Sequence, residues 1–170
     1  MSMQKNKGNG WERDVCKYFG ELFGGNWTRT LGSGNFLGGK NAFRRQFVSK
    51  NQSQMMFGDI SAPDEYNVII ECKAYKDISF NKIIDGNCAQ LNTWIQQNED
   101  DLKTKGDNSF QMIVFKINGR GKYVCLPIDE SFTSNLKSYM LYNYNNKSYI
   151  LINMDNLKTI KEHLINKFKK

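Results

Sequence analysis

The sequence predicts an α/β fold in which a central mixed β-sheet is flanked by helices. Three features carry that expectation. Apolar residues recur at helical spacing near the start, in the middle and at the end of the chain. A β-branched run, Asn67 to Lys73, reads as a strand inside a sheet, and two hairpin signals follow it. With 170 residues and 22 aromatic side chains (11 Phe, 8 Tyr, 3 Trp), the chain suits one domain spanning residues 1–170 with a sizeable core.

Trp11, Val15, Tyr18, Phe19, Leu22 and Phe23 share a helical face, so Gly10 to Phe23 is expected as an amphipathic helix ending at Gly24-Gly25. Glu12 lies at the margin of that face. Residues 24–57 differ in character, with six glycines, five basic residues (Arg29, Lys40, Arg44, Arg45, Lys50) and no acidic one. A long basic loop is expected there, with a short strand near Trp27 to Leu31. Two strands follow, Phe57 to Ser61 and Asn67 to Lys73. A helix from Asn87 to Lys103 would turn Cys88, Leu91, Trp94, Ile95 and Leu102 inward. Phe110 to Ile117 and Lys122 to Leu126 flank Asn118-Gly119-Arg120-Gly121, a strong hairpin signal. Tyr139 to Tyr142 and Ser148 to Asn153 form a second pair around Asn143 to Asn146. The closing helix, Asp155 to Phe168, would start on Asp155 as N-cap and bury Leu157, Ile160, Leu164, Ile165 and Phe168.

Composition narrows the chemistry. The single histidine, His163, argues against a histidine-based triad or a histidine-rich metal centre. Cys16, Cys72, Cys88 and Cys125 lack the short pairing of a structural zinc site and read as reduced thiols. No apolar run approaches the roughly 20 residues of a membrane span, and the polar start does not resemble a signal peptide. A cytoplasmic location is expected, or the host cytoplasm for a viral source. The net charge of +7 points to a polyanionic partner.

The strand Val68-Ile69-Ile70-Glu71-Cys72-Lys73 carries the chemical signal. Side chains alternate across a strand, so Val68, Ile70 and Cys72 face one side while Ile69, Glu71 and Lys73 face the other. Asp59 lies twelve residues before Glu71, in Phe57-Gly58-Asp59-Ile60. If the two strands are neighbours, Asp59 and Glu71 converge. Two carboxylates with a strand-end carbonyl suit a hard divalent cation such as magnesium. A lysine beside them can orient water or offset charge in a phosphoryl transition state.

These residues resemble the PD-(D/E)XK nuclease superfamily, the fold of type II restriction endonucleases and archaeal Holliday-junction resolvases. Asp59 in FGDIS and Glu71 and Lys73 in VIIECK match the motif, with Gly58 where the family name has proline. The segment NKGNGWERDVCKYF resembles the opening helix of the resolvase branch, with Glu12 as its glutamate. Arg29 and Leu31-Gly32-Ser33-Gly34 resemble the Arg…Gly-Ser-Gly stretch that follows. The resemblance covers roughly Lys5 to Leu102.

The resemblance implies a restriction-endonuclease-like core, with Asp59, Glu71 and the Cys72 carbonyl as magnesium ligands. Lys73 would be the catalytic lysine and Glu12 an outer catalytic carboxylate. Manganese would be a permissible substitute. Some exonuclease branches carry a glutamine and an aromatic residue at i, i+4 on the helix after E-x-K. Gln90 and Trp94 have that spacing, which makes Gln90 a candidate catalytic residue and leaves Trp94 to the core. Arg29, Ser33, Lys40, Arg44, Arg45 and Lys50 are the expected DNA contacts, since arginine and lysine bind phosphate oxygens. The implied activity is magnesium-dependent hydrolysis of DNA phosphodiester bonds by a homodimer selective for branched structure. A restriction-type or nicking DNA nuclease, an RNA-directed nuclease and a catalytically silent DNA-binding module of the same fold remain as alternatives. No membrane partner is expected.

Overall fold

The computed structural model describes residues 3–30, 57–106 and 108–169. In chain order they form helix α1 (Met3–Phe23), strands β1 (Thr28–Arg29), β2 (Ile60–Ser61) and β3 (Val68–Tyr75), and helices α2 (Phe80–Ile84) and α3 (Ala89–Lys105). Strands β4 (Phe110–Ile117) and β5 (Gly121–Pro127), helix α4 (Glu130–Thr133), strands β6 (Met140–Tyr144) and β7 (Lys147–Asn153) and helix α5 (Lys161–Phe168) follow. The strands make one seven-stranded sheet in the order β1-β2-β3-β4-β5-β7-β6. Among the described strands only β3 and β4 run parallel, and the crossover between them carries α2 and α3. The mixed sheet flanked by helices is the expected class.

Two apolar layers follow from strand alternation. Val68, Ile70, Met112, Val114, Val124 and Ile152 face α1 and α5, where they meet Trp11, Val15, Phe19, Leu164 and Phe168. Ile113, Phe115, Ile117, Cys125 and Leu151 face α3 and meet Leu91, Trp94 and Ile95. Phe168 is fully buried in an aromatic cluster with Phe23, Trp27 and Tyr66, at centroid distances of 5.3–6.4 Å. Its carbonyl accepts a bond from the Asn67 amide. The end of the chain is thereby fastened to the start of β3. Among the described residues, no helix is long and apolar enough to cross a membrane.

Element boundaries depart from the sequence reading in instructive ways. Helix α1 begins at Met3, about two turns earlier than the apolar stripe requires. Asn145 and Asn146 take positive φ angles of 48° and 59°, so a two-residue turn joins β6 and β7 and lets β6 run to Tyr144. The expected closing helix is two pieces, a 3₁₀ turn over Met154–Lys158 and then α5. Asn153, rather than Asp155, caps the first piece: its side-chain oxygen accepts from the Asp155 amide at 3.0 Å. Helices α2 and α4 carry too few apolar residues to show a helical period and were not expected.

Asp129 fastens α4 to α5. It caps α4 by accepting from the Ser131 amide at 3.0 Å, and its other oxygen meets Lys167 Nζ at 2.5 Å. The bonds from Lys167 and Ser131 hold its carboxyl below the ordinary value of 3.8. A carboxyl depressed by folding stabilises the fold above that ordinary value, and the stability is lost as pH falls through the lowered one. Asp129→Asn should therefore flatten the acid limb of a stability-against-pH curve followed by circular dichroism. An unchanged acid limb would contradict the role given to this pairing.

Candidate active site

The site is built on the edge of β3. Strand β2 pairs with β3 around Ile60 and Ile70, and among the described residues no strand covers β3 beyond Ile70 on that side. Asp59 covers it instead. The Asp59 amide donates to the Ile70 carbonyl at 2.7 Å, and Asp59 Oδ2 accepts from the Cys72 amide at 2.8 Å. The N–H and C=O of one strand residue point to the same side, so the Cys72 carbonyl faces the same edge as the Asp59 carboxylate. Gly58 makes this approach possible. Its φ is +71°, and a Cβ there would lie 2.6 Å from the Ile70 carbonyl oxygen. Proline, whose φ is locked near −65°, cannot adopt this conformation.

Glu71 and Lys73 project from the opposite face, under α3. Glu71 is 2% exposed. Its Oε2 lies 2.6 Å from Lys73 Nζ and accepts from Gln97 Nε2 at 3.1 Å, while Lys73 also donates to Gln97 Oε1 at 3.0 Å. The three side chains close a ring in which the glutamine amide serves both charged partners. Burial, and then the neighbouring Asp59 charge, push the Glu71 carboxyl above the usual range against the pull of Lys73. Burial works against the Lys73 charge, but Glu71 and Asp59 outweigh it and hold Lys73 above its ordinary value.

A second ion pair stands on the α1 side. Glu12, buried at the margin of α1, accepts from Arg29 Nε at 2.5 Å. Burial raises the Glu12 carboxyl; Asp59 adds to the rise, and Arg29 opposes it. Asp59 therefore acts on both Glu12 and Glu71 and stands between them electrostatically.

The donor set fits a hard divalent cation. Asp59 and Glu71 each commit one oxygen to the contacts above, and among the described residues no donor meets Asp59 Oδ1 or Glu71 Oε1. Two carboxylates and a carbonyl leave coordination positions for water, as magnesium prefers. Glu12 is tied to Arg29, and among the described residues no group of three or more His, Cys, Asp or Glu side chains gathers for a metal.

Of the expected site residues, the fold brings Glu12, Arg29, Asp59, Glu71, Cys72 and Lys73 to this edge. Gln90 lies elsewhere, lining an open cleft with Asp77, Ser79, Asn81 and Arg120. Gln97, two turns further along α3 and on the same face, makes the contacts to Glu71 and Lys73. Ser33, Lys40, Arg44, Arg45 and Lys50 lie outside the described residues.

Two outcomes test this geometry. Gly58→Ala should cost about 1–3 kcal/mol in urea unfolding, because a left-handed backbone and a backbone collision coincide there; a neutral result would refute the close approach. Asp59→Asn removes a negative neighbour and should lower the Glu71 pKa in the metal-free protein. A carboxyl NMR titration reads that shift directly, and a Glu71 titration that does not move would show that the two carboxylates do not interact.

No curated protein matches the sequence. Among solved structures, the Holliday junction resolvase Hjc from Archaeoglobus fulgidus matches over 96% of this chain and 99% of its own, at 13% identity and a TM-score of 0.38. A family model described as "Phage putative PDDEXK endonuclease" matches residues 3–170, and the chain belongs to that family of nucleases.

Proposed function

We propose that the protein is a magnesium-dependent DNA endonuclease that hydrolyses phosphodiester bonds and acts as a homodimer on branched DNA. The observation that carries this reading is the docking of the Asp59 carboxylate on the Cys72 amide, beside the Glu71–Lys73–Gln97 ring, in a chain of a nuclease family. Asp59, Glu71 and the Cys72 carbonyl would hold the cation. A bound divalent ion polarises a phosphoryl oxygen and acidifies a water.

The chain's own groups do the rest. Lys73, held between Glu71 and Gln97, presents an ammonium that orients the attacking water or stabilises negative charge on the phosphoryl group. Gln97 is a positioning residue that keeps the Lys73 ammonium and the Glu71 carboxylate in register. Glu12, restrained by Arg29, would supply a third, outer carboxylate. Cleavage would leave a 5′-phosphate and a 3′-hydroxyl. Preference for branched DNA and a dimeric state rest on the likeness of the Glu12 helix and Arg29 to the resolvase branch.

Incubation with four-way, flap and linear duplex DNA in magnesium or manganese tests the reading. The wild type should cut the four-way junction best, and a chelator should abolish cutting. Asp59→Ala, Glu71→Ala and Lys73→Met should each lose about 10²–10³-fold or more in rate, the scale of removing a group that stabilises transition-state charge. Wild-type inactivity on every substrate with either metal would refute the enzyme, and undiminished Asp59→Ala and Glu71→Ala variants would refute the site.

A further inference from the structure

We propose that Lys116 and Lys122 form a grip for a DNA backbone phosphate flanking the active site; the inference rests on the nuclease reading above. The two lysines are direct cross-strand partners on β4 and β5. Like charges placed opposite one another on antiparallel strands repel, so the arrangement is unfavourable by itself. Each ammonium lies over the same indole ring, that of Trp11, at 5.8 and 5.7 Å from the centroid. That ring is 3% exposed and is oriented by a bond from its Nε1 to the Val114 carbonyl at 3.3 Å.

An aromatic face attracts both cations but cannot neutralise them. Among the described residues neither lysine has a carboxylate partner. The result is a doubly positive, preoriented surface that lacks an anion. Its place in the sheet identifies the anion's class. Lys116 pairs with Ala74, two residues beyond Cys72 on β3, which is about 7 Å along the strand. Cys72 and Ala74 pack on the same side of the sheet as Trp11. A strand lying across the site would therefore set a neighbouring phosphate between the two ammonium groups.

The competing structural explanation is that the lysine stems merely cover Trp11. Lys116→Met with Lys122→Met separates the two, since methionine keeps an apolar cover and removes the charge. Binding is read by fluorescence anisotropy of labelled duplex and four-way DNA in chelator, across a salt series. The double Met variant should melt with the wild type yet bind about tenfold more weakly at 0.1 M salt. Its log Kd against log salt slope should be shallower by about 0.9, the value for one phosphate contact. The double Arg variant should retain both affinity and slope. If the Met pair aggregates, Lys116→Gln with Lys122→Gln takes its place. Lys137→Met with Lys158→Met removes the same charge elsewhere and should leave the slope unchanged.

A Met-pair variant with wild-type affinity and slope would overturn the grip while leaving wild-type cleavage, and hence the nuclease reading, intact. Equal weakening in the Lys137, Lys158 control would overturn it as a bulk-charge effect. A wild type that binds neither DNA would overturn the grip, while cleavage in magnesium or manganese decides the nuclease reading separately.

Discussion

Strand β3 needs hydrogen-bond partners along both edges, and beyond Ile70 one of those edges is served by a side chain. Backbone groups inside a fold are seldom left unpaired, so some acceptor must meet the Cys72 amide. Strand β2 ends its pairing too early to do so. Asp59 fills the gap with its carboxylate, after its own amide has bonded to Ile70. A structural need of the sheet for an acceptor thus holds the Asp59 side chain on the strand edge. The close approach this requires explains Gly58: its missing Cβ is what lets the chain lie against Ile70.

The charges gathered around that edge are expensive to bury and are arranged in local pairs. Removing one partner of a buried pair strands the other charge, at a cost of about 3–5 kcal/mol. Glu71 answers Lys73, with Gln97 bridging them, and Glu12 answers Arg29. Asp59 belongs to neither ion pair, yet its charge raises both Glu71 and Glu12. Asp59 therefore adds a negative charge beside two pairs that are already compensated. A site that only stabilised the fold would gain from a neutral side chain there. Under the proposed function, a carboxylate at this position would hold the cation.

Much of this was legible in the sequence because it depends on period and identity alone. Alternation in Val68 to Lys73 puts Glu71 and Lys73 on the face opposite Val68, Ile70 and Cys72, as the structure has it, although Ile69 and Glu71 are buried as well. Height along a helix was not legible. Gln90 and Gln97 differ by seven residues, so both lie on the face toward β3, and periodicity cannot tell which one reaches Glu71. Strand register was equally hidden. A four-residue turn over Asn118 to Gly121 would set Ile117 opposite Lys122, whereas Gly121 joins the strand and pairs with Ile117. That one-residue difference puts Lys122 opposite Lys116 and onto the Trp11 face. Most of the basic stretch 24–57 lies outside the described residues.

Helix α1 links these separate features. Trp11 and Glu12 are consecutive, so their side chains leave the helix about 100° apart. Trp11 turns into the sheet, bonds to the Val114 carbonyl and underlies Lys116 and Lys122, while Glu12 turns to Arg29 and the edge that carries Asp59. Both residues are held by the same helix, and that helix is pinned by the fully buried Val15 and Phe19. Packing density then does what a flexible loop could not: it keeps the acidic edge and the paired lysines at a constant separation. Under the proposed function, a substrate with regularly spaced negative charges would use such a separation, with one phosphate at the Asp59 edge and another at the lysines. The apolar stripe of α1, read first as a mere packing signal, thus sets the spacing between the two charged surfaces.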